Sequence, residues 1–214
     1  MMKYNTVLFD LDGTLTDPKE GITRCVAYAL EHFGIHVEDT DTLCPFIGPP
    51  LYECFEKFYH LTHEEAEKAV EIYRERFRPI GMFENEVYEG IPALLADLKT
   101  AGITVALATS KPQEFALKIL EHFDLLRYFD IVVGSELSGA RIEKQDVIRE
   151  VIAQLTSARR EPIIMVGDRC FDVEGAAAEG IPCIGVLYGY GNREELKNAV
   201  GIAATVKELR EMLL

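Results

Sequence analysis

The stretch FDLDGTLTDP, residues 9–18, places two aspartates, Asp10 and Asp12, directly after a short apolar run. A glycine and a threonine follow at once. Two carboxylates this close repel one another, and burial makes each of them harder to ionise. Either both side chains are exposed, or a positive group offsets their charge. The rest of the chain has to distinguish these two cases.

The apolar run before Asp10 is one of five in the sequence. The five runs lie at residues 6–10, 103–109, 130–134, 162–167 and 181–187. Uninterrupted apolar runs are typical of strands that are covered on both faces. Stretches with apolar residues at helical spacing begin at Glu114 and Asp146, between these runs. Strands that alternate with helices predict an α/β fold with a doubly wound parallel sheet.

Residues 17–88 interrupt this alternation. GITRCVAYALEHFG (21–34) and LTHEEAEKAVEIYRERF (61–77) each place apolar residues on one helical face. The second stretch opens with Thr62 and Glu65, which have the spacing of a helix capping box. We therefore expect a helical domain of residues 17–88, inserted into an α/β core domain formed by residues 1–16 and 89–214.

Composition narrows the classes of partner. The chain has 214 residues, 48% of them hydrophobic, and a net charge of -14. This charge argues against nucleic acid or an anionic membrane as a partner. No apolar run approaches the roughly 20 residues that span a bilayer, and the N-terminal stretch lacks the pattern of a signal peptide. The cysteines form no CxxC pair and predict free thiols in a reducing cytoplasm: Cys25, Cys44, Cys54, Cys170 and Cys183.

Carboxylates follow two of the predicted strands. Asp10 and Asp12 follow the first strand, and Asp168 and Asp172 lie in GDRCFD after the strand at residues 162–167. Ligands of parallel α/β sheets bind beyond the carboxyl ends of the strands, where these residues fall. Hard carboxylate oxygens suit Mg²⁺, which also binds phosphate oxygens and water. A magnesium ion would therefore offset the repulsion between the paired acids.

The same edge of the sheet should also offer groups that bind an anion. Thr109 ends the strand VALAT, and we expect Ser110, Lys111 and Pro112 to open the next helix, since proline suits a first helical position. A helix N-terminus beside a hydroxyl group is a ready anion site. Lys144, at the start of another predicted helix, adds a cation. Thr109, Ser110 and Lys144 are therefore the candidate anion-binding residues.

The ordered set DLDGT, ATSK, Lys144 and GDRCFD resembles the haloacid dehalogenase-like phosphatase superfamily, in its phosphoglycolate phosphatase-like branch with a helical cap. The resemblance covers essentially the whole chain. It implies that Asp10 is the nucleophile that forms an aspartyl-phosphate. It implies that Asp12 is the general acid and base, whose backbone carbonyl also reaches the metal.

The resemblance extends to the remaining site residues. It implies that Thr109 and Lys144 bind the phosphoryl group, that Asp168 is a magnesium ligand, and that Asp172 orients Lys144 or a metal-bound water. The segment ARIEKQDVI (140–148) lacks the proline that often follows this lysine in the superfamily, which leaves the start of its helix open.

The implied activity is Mg²⁺-dependent hydrolysis of a small phosphorylated metabolite, such as phosphoglycolate or a nucleoside monophosphate, by a monomer or small homo-oligomer. One alternative is a phosphosugar mutase of the same superfamily. Another is a non-catalytic phospho-acceptor or binding module. Structural interpretations also stand: Asp10 and Asp12 could cap a turn, Thr109 and Ser110 could cap a helix, and Lys144 could be solvated.

Two further segments are candidates for substrate selection. The inserted helices carry basic residues that could contact a leaving group or form a solvated face: Arg24, Lys57, Arg74, Arg76 and Arg78. The glycine-rich segment LYGYGNREEL (187–196) places Tyr188 and Tyr190 near the sheet edge, for gating or for turn packing.

Overall fold

The computed structural model describes residues 4–137, 141–155 and 162–214. Its strands are β1 (Thr6–Phe9), β2 (Thr16–Asp17), β3 (Glu86–Val87), β4 (Thr104–Pro112), β5 (Ile131–Ser135), β6 (Ile163–Gly167), β7 (Cys183–Val186) and β8 (Gly201–Ala203). Its α-helices are α1 (Lys19–Glu31), α2 (Leu51–Tyr59), α3 (His63–Arg76), α4 (Ile91–Thr100), α5 (Gln113–His122), α6 (Lys144–Gln154), α7 (Cys170–Ala178) and α8 (Val206–Leu213).

Six of these strands form the main sheet, in the order β5-β4-β1-β6-β7-β8. All neighbouring pairs in this sheet are parallel. Strands β2 and β3 form a separate two-stranded sheet. Helices lie between the successive strands of the main sheet from β1 to β7, and residues 187–200, which form turns, connect β7 to β8. Both kinds of connection are long enough for the crossover between parallel strands. The predicted α/β fold with a doubly wound parallel sheet is therefore confirmed.

The chain divides into two compact units. One comprises Met1–Asp17 together with Val87–Leu214 and contains the main sheet. The other is Pro18–Glu86, which contains α1, α2 and α3, a 3₁₀ helix and a π-helical turn. The interpretation of residues 17–88 as a cap domain stays a prediction.

One face of the main sheet is buried against α6 and α7. Leu8, Ala106 and Met165 come from three neighbouring strands and belong to one apolar cluster with Val147 and Val151 of α6. All five side chains are inaccessible to solvent. Burial of a valine, leucine or methionine side chain contributes about 1.5–3 kcal/mol. This cluster therefore holds β1, β4 and β6 firmly beside one another.

Strand register brings the first and last acidic motifs together. Phe9, the last residue of β1, lies opposite Leu107 of β4 and Val166 of β6. Asp10 comes next, and its backbone N–H donates a hydrogen bond to Val166 O at 2.9 Å. Asp168 directly follows β6. Both aspartates therefore emerge at the same edge of the sheet.

The second unit follows the helix signals of its sequence. Thr62 Oγ1 accepts a hydrogen bond from the Glu65 N–H at 3.3 Å, and Glu65 Oε2 accepts one from the Thr62 N–H at 2.8 Å, so the predicted capping box is confirmed. Gly21 of α1 lies against Gly81 of the π-helical turn. A Cβ atom on Gly21 would lie 1.9 Å from Gly81 O, which only glycine avoids.

The boundary between β4 and α5 was predicted wrongly. Thr109 does not end the strand, and Ser110, Lys111 and Pro112 do not open a helix. Strand β4 continues to Pro112, and α5 begins at Gln113. Pro112 has ψ 129°, an extended conformation, and the register with β5 shifts between Thr109 and Pro112. Thr109 pairs with Gly134 and Pro112 with Ser135, on either side of this shift, so tertiary contacts with β5 override the local helix signal.

Two expectations from composition can also be compared with the structure. All five cysteines are free thiols, as predicted. In the ranges that the structure describes, every helix is too short or too polar to cross a bilayer.

Candidate active site

Three buried carboxylates meet at the carboxyl edge of the main sheet. Asp10, Asp168 and Asp172 each offer an oxygen atom, and these atoms lie within 4.8 Å of one another. Asp10 and Asp168 follow β1 and β6, and Asp172 lies in the first turn of α7. Asp172 Oδ2 accepts a hydrogen bond from the Arg169 N–H at 3.0 Å, which fixes this carboxylate at the helix start.

Lys144 brings a positive charge to two of these three carboxylates, Asp10 and Asp172. Its Nζ lies 2.9 Å from Asp10 Oδ1 and 2.7 Å from Asp172 Oδ1, and it donates a hydrogen bond to Ala108 O at 3.1 Å. The side chain is only 5% exposed. Lys144 is therefore a buried ion-pair partner, and the interpretation as a solvated lysine is wrong.

Burial and charge act in opposite directions on the Lys144 pKa. Burial by itself lowers this pKa, but the carboxylates of Asp10 and Asp172 outweigh it and raise the pKa above its usual value. Lys144 is the first residue of α6, so the start of this helix, which the sequence left open, is at the lysine itself. On α7, a Cβ atom at Gly175 would lie 2.8 Å from Lys144 Cγ, so glycine makes room for the lysine stem.

The Asp168 carboxylate is enclosed by backbone from two loops. Its Oδ2 accepts a hydrogen bond from the Tyr190 N–H at 2.7 Å. Gly13 has φ +80°, and a Cβ atom there would lie 2.2 Å from Asp168 Oδ2. A Cβ atom on Gly191 would lie 1.8 Å from Asp168 O. The glycines of DLDGT and of the segment 187–196 therefore allow close packing around the side chain and the backbone of this one aspartate.

The local electrostatics favour a cation beside these acids. Burial raises the pKa of Asp168 well above its usual value, and the charges of Asp172 and Asp10 raise it further. Burial likewise raises the pKa of Asp172, although Lys144 opposes the change. Three hard carboxylates with one lysine between two of them leave negative charge uncompensated. This donor set fits Mg²⁺, which takes carboxylate oxygens together with water and phosphate oxygens.

Asp12 is not a member of this three-acid group, and it pairs with a different lysine. Its Oδ2 lies 2.7 Å from Lys111 Nζ, and both side chains are largely buried. Burial raises the pKa of Asp12, and Lys111 opposes this effect. Asp12 was predicted as a magnesium ligand through its backbone carbonyl, a role that stays a prediction. Its side-chain carboxylate does not belong to the three-acid group.

Thr109 and Ser110 make hydrogen bonds to residues of β4 and β5. Thr109 is 2% exposed, and its Oγ1 accepts a hydrogen bond from the Lys111 N–H at 3.3 Å. Ser110 O accepts a hydrogen bond from Ser135 Oγ at 2.7 Å. Among the described residues, neither hydroxyl group is hydrogen-bonded to the carboxylates. Thr109 and Ser110 do not cap α5, which begins beyond them.

The contacts of two features at this edge were not predictable from the sequence. One is Lys111, whose position in ATSK was visible but whose pairing with Asp12 depends on the fold. The other is the loop of Tyr188 and Tyr190. Tyr188 donates a hydrogen bond to Thr14 O at 3.1 Å, and the Tyr190 hydroxyl binds Asp17. These contacts tie the loop to the segment that follows β1, and its expected role in gating or in turn packing stays a prediction.

The candidate basic residues of the second unit include two that are already paired. Arg24 Nη1 and Arg76 Nη1 lie 2.9 and 2.6 Å from the carboxylate of Glu84. This ion pair raises the pKa of Arg76 and lowers that of Glu84. The contacts favour a structural role for Arg24 and Arg76 within their own unit.

The fold and the site together define a parallel α/β protein with a buried, lysine-compensated acidic centre at the carboxyl edge of its sheet. A family model described as haloacid dehalogenase-like hydrolase matches residues 7–186. The chain belongs to this family.

Three relatives place the chain more closely. It is 46% identical to a 5'-nucleotidase of Pseudomonas aeruginosa, over 99% of this chain and 96% of the relative. A crystal structure of a predicted phosphatase from Clostridium acetobutylicum superposes with a TM-score of 0.91, at 50% identity, over 98% of this chain and 97% of the other. The tyrosine-protein kinase PtkA of Mycobacterium tuberculosis is 41% identical over 97% of this chain and 72% of the relative. The chain is an enzyme, a phosphatase of the haloacid dehalogenase-like hydrolase family.

Proposed function

We propose that this phosphatase is a Mg²⁺-dependent phosphomonoesterase that hydrolyses a small phosphorylated metabolite through an aspartyl-phosphate on Asp10. The observation that carries the proposal is the buried group of Asp10, Asp168 and Asp172 with Lys144 between two of its members. Phosphoryl transfer depends mainly on charge neutralisation and positioning, and this group offers both.

Asp10 and Asp168 would hold the ion together with the backbone carbonyl of Asp12. The ion supplies neutralisation of the charge on the phosphoryl oxygens. Lys144 binds the same oxygens and keeps Asp10 oriented, since its Nζ lies 2.9 Å from Asp10 Oδ1. Asp172 holds Lys144 in turn at 2.7 Å. Thr109 and Ser110 are the proposed phosphate-binding residues of β4.

Asp10 acts as the nucleophile. An oxygen of its carboxylate bonds to phosphorus while the bond from phosphorus to the leaving oxygen breaks. Asp12 donates a proton to that oxygen. In the second step Asp12 removes a proton from water, which attacks phosphorus and releases Asp10. A carboxylate nucleophile thus divides one difficult hydrolysis into two easier steps.

The substrate class rests on the relatives. One is named a 5'-nucleotidase, and this favours a nucleoside monophosphate over phosphoglycolate among the two expected substrates. We propose that the second unit, Pro18–Glu86, acts as the predicted cap and selects the leaving group. The absence of nucleic acid and membrane partners, the cytoplasmic location and the monomeric or small oligomeric state stay predictions from composition and resemblance.

A panel of phosphorylated metabolites tests the proposal. With Mg²⁺, inorganic phosphate should be released from at least one of them, and EDTA should abolish the release. Calcium should inhibit, because its larger and looser coordination would misplace the nucleophile. Full activity of the metal-free protein would contradict the metal assignment.

The same panel distinguishes the alternatives. A phosphosugar mutase would require a bisphosphate activator and release little phosphate. A non-catalytic phospho-acceptor would retain the phosphoryl group for many minutes. The relative named a tyrosine-protein kinase adds a further alternative, for which ATP and a tyrosine peptide are the assay. Transfer to the peptide in place of phosphate release would replace the proposed hydrolysis.

A further inference from the structure

Lys111 is a buried lysine with a carboxylate partner in the candidate site. Its side chain is 6% exposed, and its Nζ lies 2.7 Å from Asp12 Oδ2. Lysine is rarely buried without a partner, because removing its charge from water is costly. The pair joins the extension of β4 to the loop after β1.

The backbone of Lys111 is held by contacts that the strand extension creates. The register with β5 shifts between Thr109 and Pro112, so Lys111 lies in an irregular stretch of strand. Its N–H donates a hydrogen bond to Thr109 Oγ1 at 3.3 Å. A Cβ atom on Gly134 would lie 2.5 Å from Lys111 O. Strand irregularities of this kind re-aim side chains next to active sites.

The two oxygens of the Asp12 carboxylate have different surroundings. Oδ2 faces Lys111 Nζ, whereas Oδ1 is buried and, in the ranges that the structure describes, has no hydrogen-bond partner. A buried carboxylate oxygen without a partner is destabilising and calls for an explanation. Binding by Lys111 fixes the carboxylate plane and leaves Oδ1 as the oxygen that remains free to react.

We propose that Lys111 is a positioning residue that holds Asp12 by Oδ2, so that Oδ1 exchanges the proton during catalysis. This inference rests on the proposed function. In the first step the proton moves from Asp12 Oδ1 to the leaving oxygen as its bond to phosphorus breaks. In the second step a water proton moves to Oδ1 as the bond from phosphorus to Asp10 breaks. Lys111 keeps its own protons throughout.

The test compares Lys111→Met with Lys118→Met, an exposed lysine of α5, as the matched control. Misplacing a catalytic group by about 1 Å costs up to about 10²-fold, so steady turnover of Lys111→Met should fall by roughly that factor. KM should stay close to that of the wild type, because Lys111 acts through Asp12. Lys118→Met should match the wild type. With p-nitrophenyl phosphate, Lys111→Met should keep a burst of about one phenol per enzyme, since this leaving group needs little protonation.

A double variant separates positioning from other roles. In the Asp12→Asn background, Lys111→Met should lower turnover by no more than about twofold, because the group that Lys111 positions is already lost. Lys111→Gln keeps a side-chain donor and should recover part of the turnover. If circular dichroism shows that Lys111→Met does not fold, Lys111→Gln replaces it in the comparison with the wild type and with Lys118→Met.

Three results would overturn this inference. Independent losses in the double variant would mean that Lys111 acts elsewhere, and a rise in KM with unchanged kcat would make it a substrate contact. Turnover equal to that of the wild type in both Lys111 variants would show that Lys111 has no role in catalysis. Failure of the proposed function is recognised separately, because the wild-type protein would then give neither a burst nor phosphate release.

Discussion

At the scale of single residues, the site depends on how two lysines pair with three carboxylates. Lys144 lies between Asp10 and Asp172, and Lys111 binds Asp12. The repulsion expected between Asp10 and Asp12 is thereby relieved by two separate ion pairs, before any metal binds. Lys111 lies near the end of β4 and Lys144 at the start of α6, so the compensation exists only in the folded chain.

Removing Lys144 should reveal this compensation directly. Breaking a buried ion pair by deleting one partner typically costs 3–5 kcal/mol, so Lys144→Met should lower the free energy of unfolding in EDTA by roughly 3 kcal/mol or more. Urea denaturation followed by circular dichroism measures the change. Lys118→Met, which removes an exposed lysine, should have a negligible effect. Equal stability of the two variants would show that Lys144 does not balance the acids.

The residues of the site were predictable to different degrees. Asp10, Asp168 and Lys144 could be found from sequence, because each lies next to the end of a clear apolar run or the start of a periodic helix. The partner of Lys111 could not be found, since Asp12 lies 99 positions earlier in the numbering and nothing local indicates the contact. The orientation of a long, flexible side chain is set by packing, which the sequence pattern does not encode.

At the scale of elements, the loop after β7 is the support of Asp168. Tyr190 donates its backbone N–H to Asp168 Oδ2, and its hydroxyl binds Asp17. Gly189 and Gly191 bring the loop backbone against Asp168, at distances that exclude any side chain. We therefore interpret this loop as a rigid support for one proposed metal ligand.

Adding a single methyl group to this loop, at Gly191, should weaken the binding of Mg²⁺. A Cβ atom in Gly191→Ala would lie 1.8 Å from Asp168 O, so the loop or the aspartate must move. Loss of outer contacts to a metal ligand typically costs 10–100-fold in affinity, and we expect a decrease of about that size for Mg²⁺. Isothermal titration calorimetry measures it without reference to activity.

Gly102→Ala is the matched control for this loop variant. Gly102 has φ +75°, but no atom lies within 4 Å of its would-be Cβ. The substitution strains a surface turn and should leave Mg²⁺ affinity unchanged. Unaltered affinity in Gly191→Ala would contradict the supporting role of the loop.

The elements themselves were predictable where burial is continuous and the pattern is long. The five apolar runs of the sequence correspond to the strands β1, β4, β5, β6 and β7. The predicted end of β4 was wrong, because the pairing of Pro112 with Ser135 of β5 extends the strand beyond Thr109. Strand β8 has only three residues, Gly201–Ala203, and its pairing with β7 creates it. Local preferences carry little information about such contacts.

At the scale of the whole molecule, we propose that catalysis and substrate selection belong to different units of the chain. The unit of Met1–Asp17 and Val87–Leu214 contains every proposed catalytic and metal-binding residue. The unit Pro18–Glu86 has its own core, which includes Phe46 and Phe55 in edge-to-face contact at 5.0 Å. This division suggests that the second unit can be exchanged without rebuilding the first.

Exchange of the second unit should change the substrate and keep the chemistry. Replacing residues 18–86 by the corresponding segment of a related phosphatase should shift kcat/KM among metabolites toward the donor's preference. The requirement for Mg²⁺ should persist. A substrate panel measured for both parents and the chimaera provides the comparison. Preference that stays with the sheet-containing unit would contradict selection by Pro18–Glu86.

Rapid-quench kinetics with p-nitrophenyl phosphate tests most directly whether an aspartyl-phosphate forms on Asp10. General acid–base catalysis is worth about 10²–10⁴-fold, so Asp12→Asn should lose turnover by that factor and accumulate phosphoenzyme, with a burst of about one phenol per enzyme. Mass spectrometry of the acid-quenched protein should locate the phosphoryl group on Asp10. Asp10→Asn should show neither burst nor phosphoenzyme. Phosphoenzyme in Asp10→Asn, or undiminished turnover in Asp12→Asn, would contradict the roles assigned to this pair.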